Sequence, residues 1–518
     1  MQRIIHSTTE SFLRYRNSLK EEKKMEKSIT RNFYGHPCFA IFISFALLIS
    51  TLLCFDYSTF FHNPSNVFTF FLAKQENPVA NKASLSNQNP DSDYCTGRYI
   101  YIHELPSRFN NDFIKNCEVL TEGSDQHPNM CPYLENFGFG LQVENSNGAL
   151  SNSSSWYATN QYSLEVIFHK KMKSYECLTN DSSLASAIFV PFYPGLDNSR
   201  FMFGNQNETL KDFFGKDLVQ WLSGKREWKK MWGRDHFLVS GRIAWSYRRQ
   251  IDNMSQWGSN FRVLPESMNM SMLATEASSW SNDIAIPYPT PFHPSKDSEI
   301  LRWQRGISKR KRPYLFTFTG APRPQLDDSL RGKIINHCQG SKFCKFLDCS
   351  NGDNCYNPSK FMRVLQNCVF CLQPPGDSHT RKSIFDSMLA GCIPVFFDAG
   401  SAYTQYLWHL PKNRTKYSVY IPVRDVKEWY PNIEKILLGF SEQEVLAMRQ
   451  EVIKLIPRIV YAYPGSKLEM FEDSFDIAVK GMLERIERVR ELMRNGSDPS
   501  LGFAHEDPYR YSFSDYQS

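Results

Sequence analysis

The sequence predicts an α/β protein made of two halves, each built on a parallel sheet, behind an N-terminal membrane helix. Three observations lead there. Apolar runs ending in polar loops alternate with amphipathic stretches along most of the chain, the pattern of parallel strands joined by crossover helices. A length of 518 residues exceeds what one compact core organises. The uncharged apolar run from Cys38 to Phe55 has about the length a bilayer crossing needs.

The N-terminal elements set the compartment. Residues 1–37 carry Arg14, Arg16, Lys20, Lys23, Lys24, Lys27 and Arg31, a flank that favours a cytoplasmic tail. The basic region is long, and no small-residue cleavage site follows residues 38–55, so a signal anchor is expected in place of a cleaved peptide. Residues 56–94 are polar and rich in Asn, Ser and Pro, as in a stem. Within them Asp91 to Asp93 spells DSD, which imitates a metal-binding motif but precedes any core strand. Sequons at Asn152, Asn180, Asn207, Asn253, Asn269, Asn413 and Asn495 all lie beyond the anchor, which suits a lumenal, glycosylated body.

The first half is expected over residues 95–301. RYIYIHELP is a strand ending in a polar loop, as are SAIFVPFYPGLD (Ser186 to Asp197) and DHFLVSGR (Asp235 to Arg242). Tyr162 to Tyr175 and Leu218 to Trp228 have the look of amphipathic helices between them. DIAIPYPTPFHP (Asp283 to Pro294) closes this half. The charged segment Arg302 to Arg312, RWQRGISKRKR, is expected as a solvated linker, with a ligand patch as the alternative.

The second half is expected over residues 302–518. PYLFTFTGAPRP runs from a strand into a loop at Gly320, with Arg323 after it. CVFCLQPPG, IPVFF and YSVYIPV (Tyr417 to Val423) extend the sheet, and Ser474 to Asn495 is a long amphipathic closing helix. Eleven of the 13 cysteines follow the anchor, as in an oxidising compartment. Cys338, Cys344, Cys349 and Cys355 cluster around Gly, Asn and Asp. Local bridges are expected there; zinc is the alternative, but paired CxxC units and a histidine set are missing. Cys368 and Cys371 form a CxxC inside an apolar run, where a buried strand suits them better than a redox pair. The odd count leaves a thiol free or intermolecular.

Chemistry concentrates in Gln373 to Phe397, QPPGDSHTRKSIFDSMLAGCIPVFF. It joins a Gly/Pro turn, a short helix and a buried strand. Asp377 and Ser378 are N-cap candidates. Arg381 and Lys382 place positive charge beside a first turn whose N–H groups already favour an anion. Asp386 stands five residues before Gly391, a natural helix stop. A pyrophosphate at the helix start and ribose hydroxyls on Asp386 would occupy such a unit.

Two α/β halves with phosphate-binding features in the second is the layout of GT-B glycosyltransferases, two Rossmann-like domains facing a cleft. The residues also resemble a family. YIYIHELPSRFN, WYATNQYSLEVIFH, IFVPFYPGLD, DIAIPYPTPFHP, YLFTFTGAPRP and PPGDSHTRKSIFDSMLAGCIPVFF recur in the order seen in plant glycosyltransferase family 47, the exostosin-like family. The resemblance covers roughly Cys95 to Arg490 and is nearest to the xyloglucan galactosyltransferases of the KATAMARI type.

That resemblance implies a Golgi enzyme, type II in topology, that transfers galactose from UDP-galactose to xylosyl side chains of xyloglucan with inversion. It implies no metal and no cofactor beyond the donor. Arg381 would offset pyrophosphate charge, Asp386 would accept ribose hydroxyls, and Gly320, Arg323, Gly376 and Ser378 would complete the donor site. A base must deprotonate the acceptor hydroxyl. Loops at the carboxyl ends of the first half's strands offer His103, Glu104 and Asp197. Trp156, Tyr157, Tyr162 and Tyr193 are candidate sugar platforms.

The formal charge of +6 is mild for this size and no basic run interleaves with aromatics, so nucleic acid is excluded as a partner. A glycoside hydrolase would need two facing carboxylates, which do not stand out. The alternatives kept are another UDP-sugar (galacturonosyl, arabinosyl or xylosyl transfer) and a non-catalytic partner within complexes of Golgi transferases.

Overall fold

The computed structural model describes residues 93–507, apart from 119–128, 145–147, 152–153, 202–207, 251–257, 323–328, 351–352, 424–425, 427–432 and 499–503. The apolar run 38–55, its basic flank and the stem up to residue 92 lie outside the described residues, as do Asn152, Asn207, Asn253 and Arg323. Among the described residues no helix is long and apolar enough to cross a membrane.

Two parallel sheets organise the chain, as expected. The first joins β1 (Ile100–Ile102), β2 (Ala187–Phe189), β3 (His236–Ser240), β4 (Ser271–Ala274) and β5 (Asp283–Ala285) in that spatial order. Side chains alternate along it. Phe237, Val239 and Leu273 face one core with Phe168, while Leu238, Met272 and Ala274 face another with Leu218, Leu222 and Trp228. Burial on both faces is what makes such strands read as continuous apolar runs. Strand β4, SMLA, was not expected: it is short and lacks β-branched residues.

Helices cover both faces. α1 (Leu164–Met172), α2 (Pro194–Ser199), α3 (Glu208–Ser223) and α4 (Arg226–Met231) belong to the first half. The single helix expected over Leu218 to Trp228 is in fact α3 and α4, interrupted around Gly224, a residue with little helix propensity.

The charged segment Arg302 to Arg312 is not a solvated linker. It falls within and just after α5 (Asp297–Ser308), whose Ile300, Trp303 and Ile307 enter the apolar core. Trp303 donates its indole N–H to Leu389 O at 2.9 Å. Arg312 turns inward too, donating to the carbonyls of Leu365, Cys368 and Ala390. The helical period hides an apolar face among the charges.

The second sheet has the order β10-β9-β8-β6-β7, with β6 (Tyr314–Gly320), β7 (Cys344–Asp348), β8 (Cys368–Gln373), β9 (Ile393–Phe396) and β10 (Val419–Tyr420). β7 lies inside the cysteine cluster, where no strand was expected. α6 (Leu330–Gly340) starts at Ser329, whose side chain accepts the Gly332 N–H at 3.1 Å. α7 (Pro358–Gln366) starts with proline after the capping Asn357. α8 (Lys382–Leu389) is followed by Gly391 at φ +66°, the left-handed stop.

α9 (Ser474–Arg494) is capped by a reciprocal Asp473–Asp476 box. It packs on the first sheet, not the second: Phe475, Ala478, Val479, Met482 and Ile486 share a core with Ile100, Phe189 and Phe237.

Local bridges join Cys338 to Cys344 and Cys349 to Cys355, as expected. Cys95 pairs with Cys177 and Cys117 with Cys131. The CxxC does not close on itself. Cys371 pairs with Cys392, tying β8 to the residue before β9, and Cys368 is a buried free thiol.

Candidate active site

The carboxyl ends of β6 and β8 build the second half's side of the site. Gly320 ends β6, and the Pro374–Arg381 loop follows β8. Arg381 occupies the N-cap position of α8, so that helix begins later than Asp377 or Ser378 would have it. Its guanidinium donates to Thr319 O at 2.9 Å and Pro374 O at 3.4 Å, and lies over the Phe318 ring. The backbone approaches it closely. A Cβ on Gly320 would sit 2.7 Å from the Phe318 ring and 3.3 Å from Arg381 Nη2. A Cβ on Gly376 would meet Arg381 Cγ at 3.4 Å and Arg331 Nη2 at 3.7 Å. Gly320, Gly376, Ser378 and Arg381 are thus brought together. Arg331, from the first turn of α6, adds a second guanidinium that sequence reasoning missed.

Asp386 lies one turn along α8, buried and bonded through both oxygens to Lys382 Nζ at 2.9 Å. Burial raises its pKa, and Lys382 offsets part of that. Lys382 therefore serves this carboxylate.

His379 projects from the same loop. Its Nδ1 lies 3.2 Å from Asp398 Oδ1, and that hydrogen bond raises its pKa. Asp398 also accepts the Gly400 N–H at 2.7 Å.

The first half's nominated bases fall in different places. His103 is buried between the sheet and α3, edge-on to Trp221, with Nε2 3.1 Å from His236 Nε2. Desolvation pushes it down to about 3, so it lacks the convenient titration first assumed. Glu104, next along, is exposed at the end of β1. Asp197 lies within α2 rather than at a strand end, buried and paired with Arg200. Burial pushes it up to about 6. Of the suggested platforms, Trp156 and Tyr193 are core residues; Trp156 packs on Phe292 and Trp303, and Tyr193 OH meets His169 Nδ1 at 2.7 Å. Tyr157 is buried as well, and Tyr162 is half-buried beneath Arg242, whose guanidinium lies 4.1 Å from its ring centre.

Two buried glutamates that sequence reasoning passed over organise the first half's loops. Glu165 on α1 accepts the N–H groups of Gly195 (2.9 Å), Leu196 (2.8 Å) and Gly241 (3.1 Å), gathering the loops after β2 and β3. Burial pushes its carboxyl up to about 7. Glu276 follows β4, and its Oε2 accepts from Ser378 Oγ and from Thr380 N and Oγ1, each at 2.7 Å. Tyr288, after β5, reaches the same threonine with its hydroxyl at 3.0 Å. The signal for Glu276 was its place just beyond a strand, and that strand went unseen.

Among the described sequons, Asn180, Asn413 and Asn495 are exposed and Asn269 is half-buried. Asp93, the described part of DSD, accepts the Tyr99 hydroxyl and the Cys95 N–H, as a turn residue.

The exostosin GT47 domain matches residues 94–437. An Arabidopsis thaliana protein named Probable xyloglucan galactosyltransferase GT14 is 55% identical over 483 residues, 91% of this chain and 92% of its own. Xyloglucan galactosyltransferase MUR3 of Arabidopsis thaliana is 48% identical over 431 residues, 83% of this chain and 69% of its own. Xyloglucan-specific galacturonosyltransferase 1, from the same plant, is 39% identical over 409 residues, 78% of this chain and 60% of its own. The chain belongs to the exostosin GT47 family of glycosyltransferases.

Proposed function

We propose that this enzyme transfers galactose from UDP-galactose to xylosyl side chains of xyloglucan, with inversion and on a GT-B scaffold. The carrying observation is the 48% identity to MUR3 across 83% of the chain, joined to a second-half loop that presents Arg381 between Gly320 and Gly376. The donor diphosphate lies against Arg381 and the amide-rich Gly376–Ser378 turn, where charge-assisted contacts stabilise departing UDP. Asp386 receives the ribose hydroxyls, with Lys382 holding the carboxylate. The acceptor, a long neutral polymer, meets the first half, where Glu104 is the exposed carboxylate at a strand end and serves as base. No metal takes part. The anchor at residues 38–55 places the body in the Golgi lumen, where its sequons are modified and other transferases are within reach.

The test is product mass after incubating the purified protein with a panel of UDP-sugars and xyloglucan oligosaccharides. Galactose transfer to a xylosyl residue is the expected product. Transfer of galacturonic acid instead, the activity named for one relative at 39% identity, would keep the family and replace the sugar. No transfer and no UDP binding would leave a non-catalytic partner.

A further inference from the structure

Glu276 is 0% exposed and, like Glu165, forms no ion pair among the described residues. One oxygen, Oε2, takes hydrogen bonds from Ser378 Oγ, Thr380 N and Thr380 Oγ1 at 2.7 Å. The other, Oε1, is buried without a hydrogen-bond partner. A buried carboxylate oxygen left without a partner costs stability. Stability alone does not account for a carboxylate here.

Its placement does. Glu276 belongs to the loop after β4 of the first sheet, whereas Ser378 and Thr380 belong to the loop after β8 of the second. Gln405 and Tyr406 reinforce the junction: the Ala277 N–H donates to Gln405 Oε1 at 2.9 Å, and Tyr406 OH donates to Thr275 O at 2.9 Å. We infer that Glu276 is a positioning residue of the donor site, holding from the opposite half the loop that presents Arg381 to the nucleotide diphosphate. The charge strengthens three hydrogen bonds converging on one oxygen, which an amide would hold less firmly. Donor binding in the second half thereby depends on a residue of the acceptor half. This inference rests on the proposed donor site.

The experiment is a double-mutant cycle with Glu276→Gln and Thr380→Val, read by calorimetric titration of the purified full chain with UDP and by thermal midpoint. Glu276→Gln is expected to weaken UDP binding about tenfold, Thr380→Val less, and the double variant by less than the product of the two, because the variants share the Glu276–Thr380 contact while Thr380→Val also removes the Tyr288 hydroxyl contact. The thermal midpoint of Glu276→Gln is expected close to wild type while UDP affinity falls, the outcome a purely structural carboxylate would not produce. Wild-type UDP affinity in Glu276→Gln overturns the inference, as does a loss of affinity matched by a fall in midpoint. Multiplicative losses in the double variant overturn the contact as its route. If the wild-type chain itself binds no UDP, the donor-site reading fails and takes the inference with it. Because UDP is the probe, the result does not depend on which sugar is transferred.

Discussion

Arg381 Nη2 donates to Thr319 O at 2.9 Å, which fastens the guanidinium after β8 to the carboxyl end of β6. The contact aims the charge by means of backbone, leaving no freely swinging side chain. Arg381→Ala should therefore weaken UDP binding by about 1.5–3 kcal/mol, tenfold or more, with the thermal midpoint little changed. Arg381→Lys should recover little of it, since an ammonium cannot reproduce the planar fork. Isothermal titration with UDP checks both.

Asp386 and Lys382 are a partly buried pair, so each should report on the other. Asp386→Ala leaves a half-buried ammonium without its partner and should lower both stability and UDP affinity. Lys382→Met should lower UDP affinity less, because the carboxylate survives. Uridine, which keeps the ribose and lacks the diphosphate, separates the two: Asp386→Ala should weaken it as much as it weakens UDP. Uridine affinity untouched by the change would remove Asp386 from the ribose.

The placement of His103 makes a statement about pH. Its folded pKa of about 3 lies below the ordinary 6.5, so the unfolded chain takes up the proton first. The neutral imidazole costs nothing above pH 6.5, and stability falls as pH drops from there toward 3. One such histidine withdraws about 2 kcal/mol by pH 5. His103→Gln should flatten that part of the stability curve, measured by denaturant titration across pH, and leave turnover within severalfold.

Glu104 carries the opposite expectation. Glu104→Gln should cut turnover by about 10² while UDP binding stays near wild type. Turnover unchanged would move the base elsewhere in the first half.

Chelator should leave transfer largely intact at saturating donor. Asp93, the described residue of DSD, is committed to Tyr99 and Cys95. A loss of activity restored by a divalent cation would overturn the metal-free reading.

What could be read from residues alone followed from how strongly local chemistry spoke. PYLFTFTG and CVFCLQ are apolar, bounded by glycine or proline, and are strands. The Pro374–Arg381 loop was legible because its two prolines cannot continue a strand or helix, and an arginine beside a helix start marks a place for an anion. β4 was invisible because Ser271, Met272 and Ala274 carry no strand preference; sheet neighbours on both sides impose it. With β4 went Glu276. The helix at Arg302–Ser308 was obscured by its charges, although Trp303 and Ile307 mark its inner face. His103 was nominated on a free-solution titration point, which burial under Trp221 abolishes.

The return of α9 to the first sheet doubles the path of the described chain: it leaves the first half after β5 and comes back to it in α9. A gene cut near residue 302 would consequently not yield two independent products. The upstream fragment would expose the apolar surface that Phe475, Met482 and Ile486 cover, while the downstream fragment would carry that greasy helix with nothing to lie on. Co-expressed, the two pieces should find each other and reassemble, and a deletion that removes α9 should damage the first sheet's half before the second's.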